Sequence, residues 1–173
     1  MILKYKLTKQ DYVNAYEKKI KEETKKSRFL ILIMVVAYLI YAIMYVNQVK
    51  SFYSINMTYY VLPSLGVIMF SVLFEIMSTK KTKERYDRLI KRKFELDGSS
   101  YEEKTLQIVG SNIIIKSDNS FNTYDLFSIR CVYESHGTVV LCEDDKITPY
   151  IIVSSNAFLR DEDRIEFMRI FRS

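Results

Sequence analysis

Residues 29–49 read FLILIMVVAYLIYAIMYVNQV, and residues 51–74 read SFYSINMTYYVLPSLGVIMFSVLF. Neither stretch contains a charged side chain, and only Lys50 separates them. A helix rises about 1.5 Å per residue, so each stretch is long enough to cross a hydrocarbon core of about 30 Å. The sequence predicts a two-helix transmembrane hairpin, with spans at 29–49 and 55–77 and a short extracytoplasmic loop at 50–54.

The excess positive charge lies beside these two stretches. Residues 1–28 carry nine Lys/Arg against four Asp/Glu, and residues 78–97 carry eight against four. The positive-inside rule therefore predicts a multi-pass protein of the cell membrane with both termini in the cytoplasm. The candidate membrane-flanking basic residues, which anchor the spans beside the lipid bilayer, are Lys25, Lys26, Arg28, Lys80, Lys81 and Lys83.

Aromatic side chains gather at the predicted outer boundary of the membrane. Their amphipathic rings favour the headgroup region, and the candidate interfacial residues are Tyr45, Tyr53, Tyr59 and Tyr60. Glu75 stands at the cytoplasmic boundary, so a solvated or Lys-paired carboxylate is expected there rather than an ion-conducting one.

Two cytoplasmic extensions flank the hairpin. In the first, 1–28, residues 2–7 alternate in the period of a strand, and Thr8 with Asp11 resembles a capping box at the start of an amphipathic helix. The second, 78–97, is a basic helix with one apolar face made of Tyr86, Leu89, Ile90 and Phe94. Residues 97–100, Asp-Gly-Ser-Ser, are expected to end it.

From residue 98 the hydrophobic period becomes that of short strands. Six are expected, at 105–109, 113–116, 121–124, 129–134, 138–142 and 147–153, with turns at 110–112 and 135–137. A closing helix from about Arg160 would have an apolar side made of Ile165, Met168 and Phe171, helped by Phe167 and Ile170. The predicted class is an α+β membrane protein whose domain 98–173 is a small antiparallel β-sandwich or barrel closed by a C-terminal helix.

The sequence offers little chemistry. It contains no phosphate-binding glycine loop, no zinc-protease motif and no nucleophile elbow, and Cys131, Cys142 and His136 form no ligand or triad spacing. Asp144 and Asp145 are more typical of a solvated loop than of an ion site. We therefore expect no catalysis, no cofactor and no metal. Nucleic-acid binding is not expected either, because residues 98–173 carry twelve acidic and eight basic side chains.

Three segments give the chain a family resemblance: YKLTKQDYVNAYEKKI at 5–20, YDLFSIRCVYES at 124–135 and ITPYIIVSSNAF at 147–158. With two closely spaced spans between the first and second, the chain resembles the YcxB-like protein family over essentially its whole length. The resemblance implies a two-span bacterial membrane protein with a cytoplasmic domain similar to pleckstrin-homology folds, and it carries over no catalytic residue. Val153-Ser154-Ser155 departs from the isoleucine–proline step common in that family.

The resulting expectation is a non-catalytic membrane anchor that presents an interaction domain to an unidentified protein partner. Phosphoinositide capture is not expected, because the strand-connecting loops carry Asp118, Glu143, Asp144 and Asp145. Two alternatives remain open: an immunity protein against a bacteriocin or toxin, and a subunit of an oligomeric transporter. Also open are homo-oligomerisation and the hypothesis that the strand at 2–7 joins the C-terminal sheet.

Overall fold

A computed structural model describes residues 1–50, 58–96, 102–143 and 148–171, with the side chains of 46–50, 58–62 and 96 left out of the description. The predicted loop at 50–54, the helix end at 97–100 and the Asp144–Asp145 pair therefore lie outside the described residues. The elements in chain order are β1 (Ile2–Tyr5), α1 (Lys9–Lys50), α2 (Thr58–Leu96), β2 (Lys104–Val109), β3 (Asn112–Lys116), β4 (Phe121–Asp125), β5 (Cys131–Ser135), β6 (Thr138–Cys142), β7 (Ile151–Val153) and α3 (Asp161–Arg169).

The chain divides into two compact units. One, the folded unit, is made of Met1–Ile20 and Arg85–Ser173, and the other, the helical unit, is Lys21–Glu84. Both long helices pass from one unit into the other, because α1 and α2 continue through the predicted cytoplasmic helices and the predicted spans. The helical unit is thus an insertion in the sequence of the folded unit.

Within the helical unit, α1 and α2 run antiparallel and are joined by two polar contacts. The Ser27 and Ser78 hydroxyls are 2.9 Å apart, and Arg28 Nε lies 2.8 Å from Glu75 Oε1. The partner of Glu75 is therefore Arg28 on the other helix. The carboxylate was expected to be solvated or paired with a lysine; its side chain is 38% exposed, and its described ion-pair partner is an arginine of α1.

The helical unit presents an almost continuous apolar surface. Phe29, Leu30 and Phe70 are 62%, 62% and 70% exposed. Each long helix contains an 18-residue window of high mean hydropathy, 2.2 in α1 and 1.2 in α2, and each is long and apolar enough to cross a membrane. Length and composition therefore agree with the predicted pair of spans.

The folded unit contains two antiparallel sheets. One has four strands in the order β1-β2-β3-β4, and the other has three in the order β5-β6-β7. All six strands expected after residue 98 are present, with β7 beginning at Ile151 within the predicted 147–153. The two sheets do not close into a barrel, so the barrel alternative was wrong and the two-sheet arrangement is the observed one.

The seventh strand, β1, confirms the hypothesis that the N-terminal segment joins the C-terminal sheet. It pairs antiparallel with β2, with Leu3 opposite Leu106 and Tyr5 opposite Lys104. Leu3 and Tyr5 point into the core and are 7% and 3% exposed. Strand β1 and its neighbour in the sheet, β2, are therefore separated in the sequence by both long helices.

The two tightest turns are two residues long rather than three. Gly110 and Ser111 connect β2 to β3, and His136 and Gly137 connect β5 to β6. Gly110, His136 and Gly137 have φ of 58°, 50° and 81°. Positive φ at both central positions suits the right-handed twist of a hairpin, and glycine meets that requirement without steric cost.

The core of the folded unit collects side chains from the sheets and from all three helices. Tyr12 and Tyr16 of α1 pack on Phe94 and Tyr86 of α2, with ring centroids 5.9 and 5.7 Å apart. The predicted capping box is confirmed, because Asp11 Oδ2 accepts from the Thr8 backbone N–H at 2.8 Å. Further core residues are Ile90, Leu106, Ile113, Leu141, Val153 and Phe167.

Two residues placed on buried helix faces by their spacing are exposed instead. Leu89 of α2 is 36% exposed and Ile165 of α3 is 46% exposed. In α3 the buried side chains are Phe167 and Met168. The helix is therefore rotated so that Phe167 rather than Ile165 faces the core.

Candidate functional site

The folded unit carries a groove of about 630 Å³, lined by side chains from β1, β3, β4, β7 and the ends of both long helices. Its buried lining is apolar and aromatic, and includes Leu7, Tyr12, Ile115 and Ile151. Its exposed lining is polar and comes from Lys93, Asn119, Ser120 and Asn122. A concave apolar surface with polar groups around it is the ordinary form of a ligand or side-chain site.

Tyr5 is the most enclosed polar residue of this groove. Its side chain is 3% exposed, and burial, together with nearby Tyr124, raises the pKa of its phenol above the ordinary value. Its hydroxyl makes no hydrogen bond with the described residues, which leaves a donor at the groove lining. Because the raised pKa keeps the phenol protonated, Tyr5 is suited to donate a hydrogen bond and unsuited to act as a base.

An acidic group stands at the opening of the groove. Asn119 Nδ2 donates to Glu102 Oε1 at 2.6 Å. Hydrogen bonds from Ser117 and Asn119 lower the pKa of Glu102, so this carboxylate is ionised at neutral pH. Lys104, which also lines the groove, adds a smaller effect in the same direction.

The charges around the groove are therefore mixed. Lys93 and Lys104 supply two positive charges, and Glu102 supplies a negative one that is held by its neighbours. Capture of a polyanionic headgroup needs clustered basic side chains with free donors. The described part of this lining does not provide such a cluster.

A second concave region lies where the start of α1 meets the β5–β6 hairpin. It has a volume of about 600 Å³ and is lined by Thr8, Asp11, Asn14, Glu17 and His136, among others. The buried members are already paired. Asp11 Oδ1 accepts from Thr138 Oγ1 at 3.0 Å, and Asn14 Nδ2 donates to the same hydroxyl at 3.3 Å.

This hydrogen-bonded network has a structural role. Asp11 is only 4% exposed, and it also accepts the capping hydrogen bonds of Thr8. A buried carboxylate is tolerated when all of its oxygens are hydrogen-bonded. The network fixes α1 against β6.

The position of His136 is set by the turn between β5 and β6 and not by a catalytic partner. Its Nε2 lies 3.2 Å from Glu17 Oε2, which also accepts from Ser135 Oγ at 2.8 Å. The imidazole is largely exposed at the tip of the hairpin. No cysteine or serine nucleophile is paired with it among the described contacts, and no group of three metal-ligating side chains occurs in the described residues.

The candidate membrane-flanking residues all lie on exposed helix positions of the helical unit. Lys25, Lys26 and Arg28 belong to α1, and Lys80, Lys81 and Lys83 belong to α2. Of these, only Arg28 has a described ion pair, the one with Glu75. Tyr45 is 46% exposed and stacks on Tyr41. Tyr53 and the side chains of Tyr59 and Tyr60 lie outside the described residues.

The two sulfur atoms expected to face each other do so. Cys131 and Cys142 are opposite one another on β5 and β6, and both are free thiols. Cys142 is fully buried, as expected for a small apolar residue of the core.

These features define a class of architecture: a two-sheet α+β unit interrupted by a pair of long apolar helices. A comparison of the chain with protein-family models, with curated proteins and with solved structures found no match. The candidate site therefore rests on the geometry of the chain itself.

Sequence patterns did not identify the groove. Its lining comes from residues as distant in sequence as Tyr5, Lys93 and Tyr150, and Tyr5 reaches it because β1 pairs with β2. The signal that was available is the alternation at 2–7, since the inward residues of a strand joining the sheet must line its core or its opening.

Proposed function

We propose that this protein is a two-span anchor of the bacterial cell membrane that presents the folded unit to a protein partner in the cytoplasm, without catalysis of its own. The observation that carries the proposal is the pairing of β1 with β2 around the helical pair. Two strands of one sheet must lie on the same side of a membrane. If both helices cross the membrane, the chain therefore leaves the folded unit through the first span and comes back to the same side of the membrane through the second.

The exposed apolar surface of the helical unit supports the membrane part of the proposal. Soluble monomers rarely expose contiguous apolar patches of more than a few hundred Å². In the described parts of the predicted spans, α1 and α2 expose large apolar side chains from Phe29 to Met44 and from Leu65 to Met77. In a hydrocarbon environment these apolar side chains are not in contact with water, so no further protein contact is needed to cover them.

Charge supports the assignment of the cytoplasmic side. Lys25, Lys26, Lys80, Lys81 and Lys83 all stand at exposed positions near the ends of the apolar segments that adjoin the folded unit. Lys and Arg accumulate in cytoplasmic segments close to membrane spans. The opposite orientation would carry this positive charge across the membrane.

The strand arrangement is the basis for proposing a domain similar to pleckstrin-homology folds. The folded unit has two small antiparallel sheets and a C-terminal helix that contributes Phe167 and Met168 to the core. In this chain β1 is followed at once by the helical pair, so the spans occupy the connection between the first two strands.

The groove is the proposed contact site for the partner. Its buried lining offers apolar area, Tyr5 offers a hydrogen-bond donor, and its lysines and Glu102 offer charges of both signs. Mixed charge around an apolar depression suits protein side chains better than a polyanionic lipid headgroup.

Sidedness is tested by cysteine labelling in intact cells. Leu159 is 97% exposed on the folded unit, so Leu159→Cys should react with a membrane-impermeant maleimide only in inverted vesicles or after permeabilisation. Ser51→Cys, between the two apolar helices, should react in intact cells. The parent protein, whose two cysteines are buried or half-buried, gives the background. Labelling of Leu159→Cys in intact cells would overturn the proposed orientation.

The contact site is tested by photo-crosslinking in living cells. Tyr150 lines the groove and is 42% exposed, so a benzoylphenylalanine at this position should yield a discrete adduct. The same group at Leu159, which does not line the groove, is the matched control and should not yield it. Adducts that form only from positions in 47–56 would contradict the groove and favour an immunity role at the membrane.

A further inference from the structure

The outer edge of β4 is the open edge of the four-stranded sheet. Ser117 and Ser120 exchange backbone hydrogen bonds, and the Leu126 N–H donates to the Ser111 carbonyl at 2.7 Å. Both pairs belong to the β3–β4 register, in which hydrogen-bonded and non-hydrogen-bonded pairs alternate. The backbone groups of Asn122 and Tyr124 therefore face β3, whereas those of Phe121, Thr123 and Asp125 face outward.

The two edges of this sheet are protected differently. The β1 edge carries Lys4 and is followed by Lys6, whose carbonyl accepts from Asn156 Nδ2 at 3.1 Å. Strand β4 has the sequence FNTYD, without lysine, arginine or proline. Lysine and proline are among the usual means by which an edge strand avoids pairing with another chain. The five residues of β4 include neither, and four of them are exposed.

We propose that β4 pairs antiparallel with β4 of a second copy of this chain, about a two-fold axis at Thr123. The strand suits a self-complementary contact, because the two Thr123 residues then face each other and Phe121 faces Asp125 of the second copy. The outward N–H and C=O groups at these three positions form about six hydrogen bonds between the chains. The Asp125 carbonyl already accepts from Ser128 Oγ at 2.7 Å and has a second lone pair available.

Charge complementarity favours a second copy over an unrelated strand. Lys116 Nζ lies 5.4 Å from the centroid of the Phe121 ring, on the outer face of the sheet. In the proposed register Asp125 of the second copy stands on that same face, immediately beyond Phe121. Its Oδ1 accepts the Phe127 N–H at 3.0 Å, and in the proposed pair its other oxygen would be the one to bind the lysine of the opposite chain. The two-fold axis produces this ion pair twice.

The proposed contact also covers apolar surface. Phe121 is 63% exposed and Phe127, two residues beyond the strand, is 77% exposed. Phe121 belongs to the edge strand itself, so the second copy would cover part of its ring. Burial of aromatic side chains is a large part of the binding free energy at interfaces.

The test is the mass of the full-length protein in detergent, measured by light scattering after size exclusion over a range of concentrations. The parent protein is expected to contain two chains. Thr123→Pro removes an outward N–H and costs no bond to β3, so it should raise the dissociation constant by about tenfold or more. Thr123→Val keeps the N–H and should still form the two-chain species.

Two further outcomes decide the proposal. A single chain at every concentration, or a Thr123→Pro protein that dimerises like the parent, would overturn it, the latter by pointing to the apolar helices as the contact. Lys116→Glu is the second variant, and it applies even if the proline variant does not fold. It should weaken association several-fold at low salt and less at high salt, and an unchanged dissociation constant would refute the proposed register.

Discussion

Two tyrosines of the folded unit differ in one hydrogen bond. Tyr5 and Tyr133 are 3% and 7% exposed. The Tyr133 hydroxyl donates to the Ala15 carbonyl at 2.5 Å and thereby joins β5 to α1. The Tyr5 hydroxyl has no such bond with the described residues. The pair therefore separates the contribution of a hydroxyl that is hydrogen-bonded to the backbone from that of one that lines the groove.

We expect Tyr133→Phe to lower the free energy of unfolding by about 1 kcal/mol, the usual value of a hydrogen bond lost from a buried site. Tyr5→Phe should leave it unchanged within a few tenths of a kcal/mol, because it removes a hydroxyl that gains nothing on folding. Thermal unfolding in detergent would report the first change as a fall of about 2–4 °C. Equal losses in the two variants would contradict the assignment of Tyr5 as a free donor in the groove.

The pairing of Arg28 with Glu75 marks the limit of residue-level prediction. The sequence places Glu75 near the cytoplasmic boundary and five residues before Lys80, which favours a carboxylate that is solvated or paired with a lysine. The observed partner lies on the other helix and depends on how α1 and α2 pack. Spacing along one helix predicts neighbours on that helix, whereas contacts between helices depend on packing that no local pattern encodes.

At the level of elements, the sequence predicts local structure well where backbone chemistry is restrictive. The capping box at Thr8 and Asp11 and the turns around Gly110 and Gly137 are confirmed, because few residue types satisfy a helix start or a positive φ. The six strands after residue 98 follow from alternation between such turns. Each long helix continues without a break from a polar segment into an apolar one.

The sequence allowed only a hypothesis about which strands pair with each other and which helix faces are buried. Alternation at 2–7 indicates a strand and a buried face, but it does not identify the neighbouring strand. The proposed membrane topology supplied the missing constraint by placing both chain ends in one compartment. Buried helix faces were also only partly predicted, because the spacing of Ile165 allowed burial while Phe167 took the core position.

At the level of the whole molecule, the two units imply that the folded unit does not need the helices that interrupt it. Its core includes Tyr12 and Tyr16 from before the insertion and Tyr86 and Ile90 from after it. The rings of Tyr16 and Tyr86 are 5.7 Å apart, so the two broken ends of the folded unit approach each other. A short linker can therefore replace the insertion.

We expect a shortened chain, with residues 21–84 replaced by about six Gly/Ser residues, to fold and to remain dispersed in buffer without detergent. A linker of this length has a mean span of about 13 Å, enough for two neighbouring helix ends.

The matched control starts at Thr8 and so lacks β1, which removes Leu3 and Tyr5 from the core and leaves β2 as a bare edge. Loss of each large buried side chain costs about 2–5 kcal/mol, so the control should unfold or aggregate under the same conditions. Chemical denaturation of both proteins measures the difference. A control as stable as the longer version would mean that β1 is dispensable, and a detergent requirement in both would mean that the folded unit is not an independent structure.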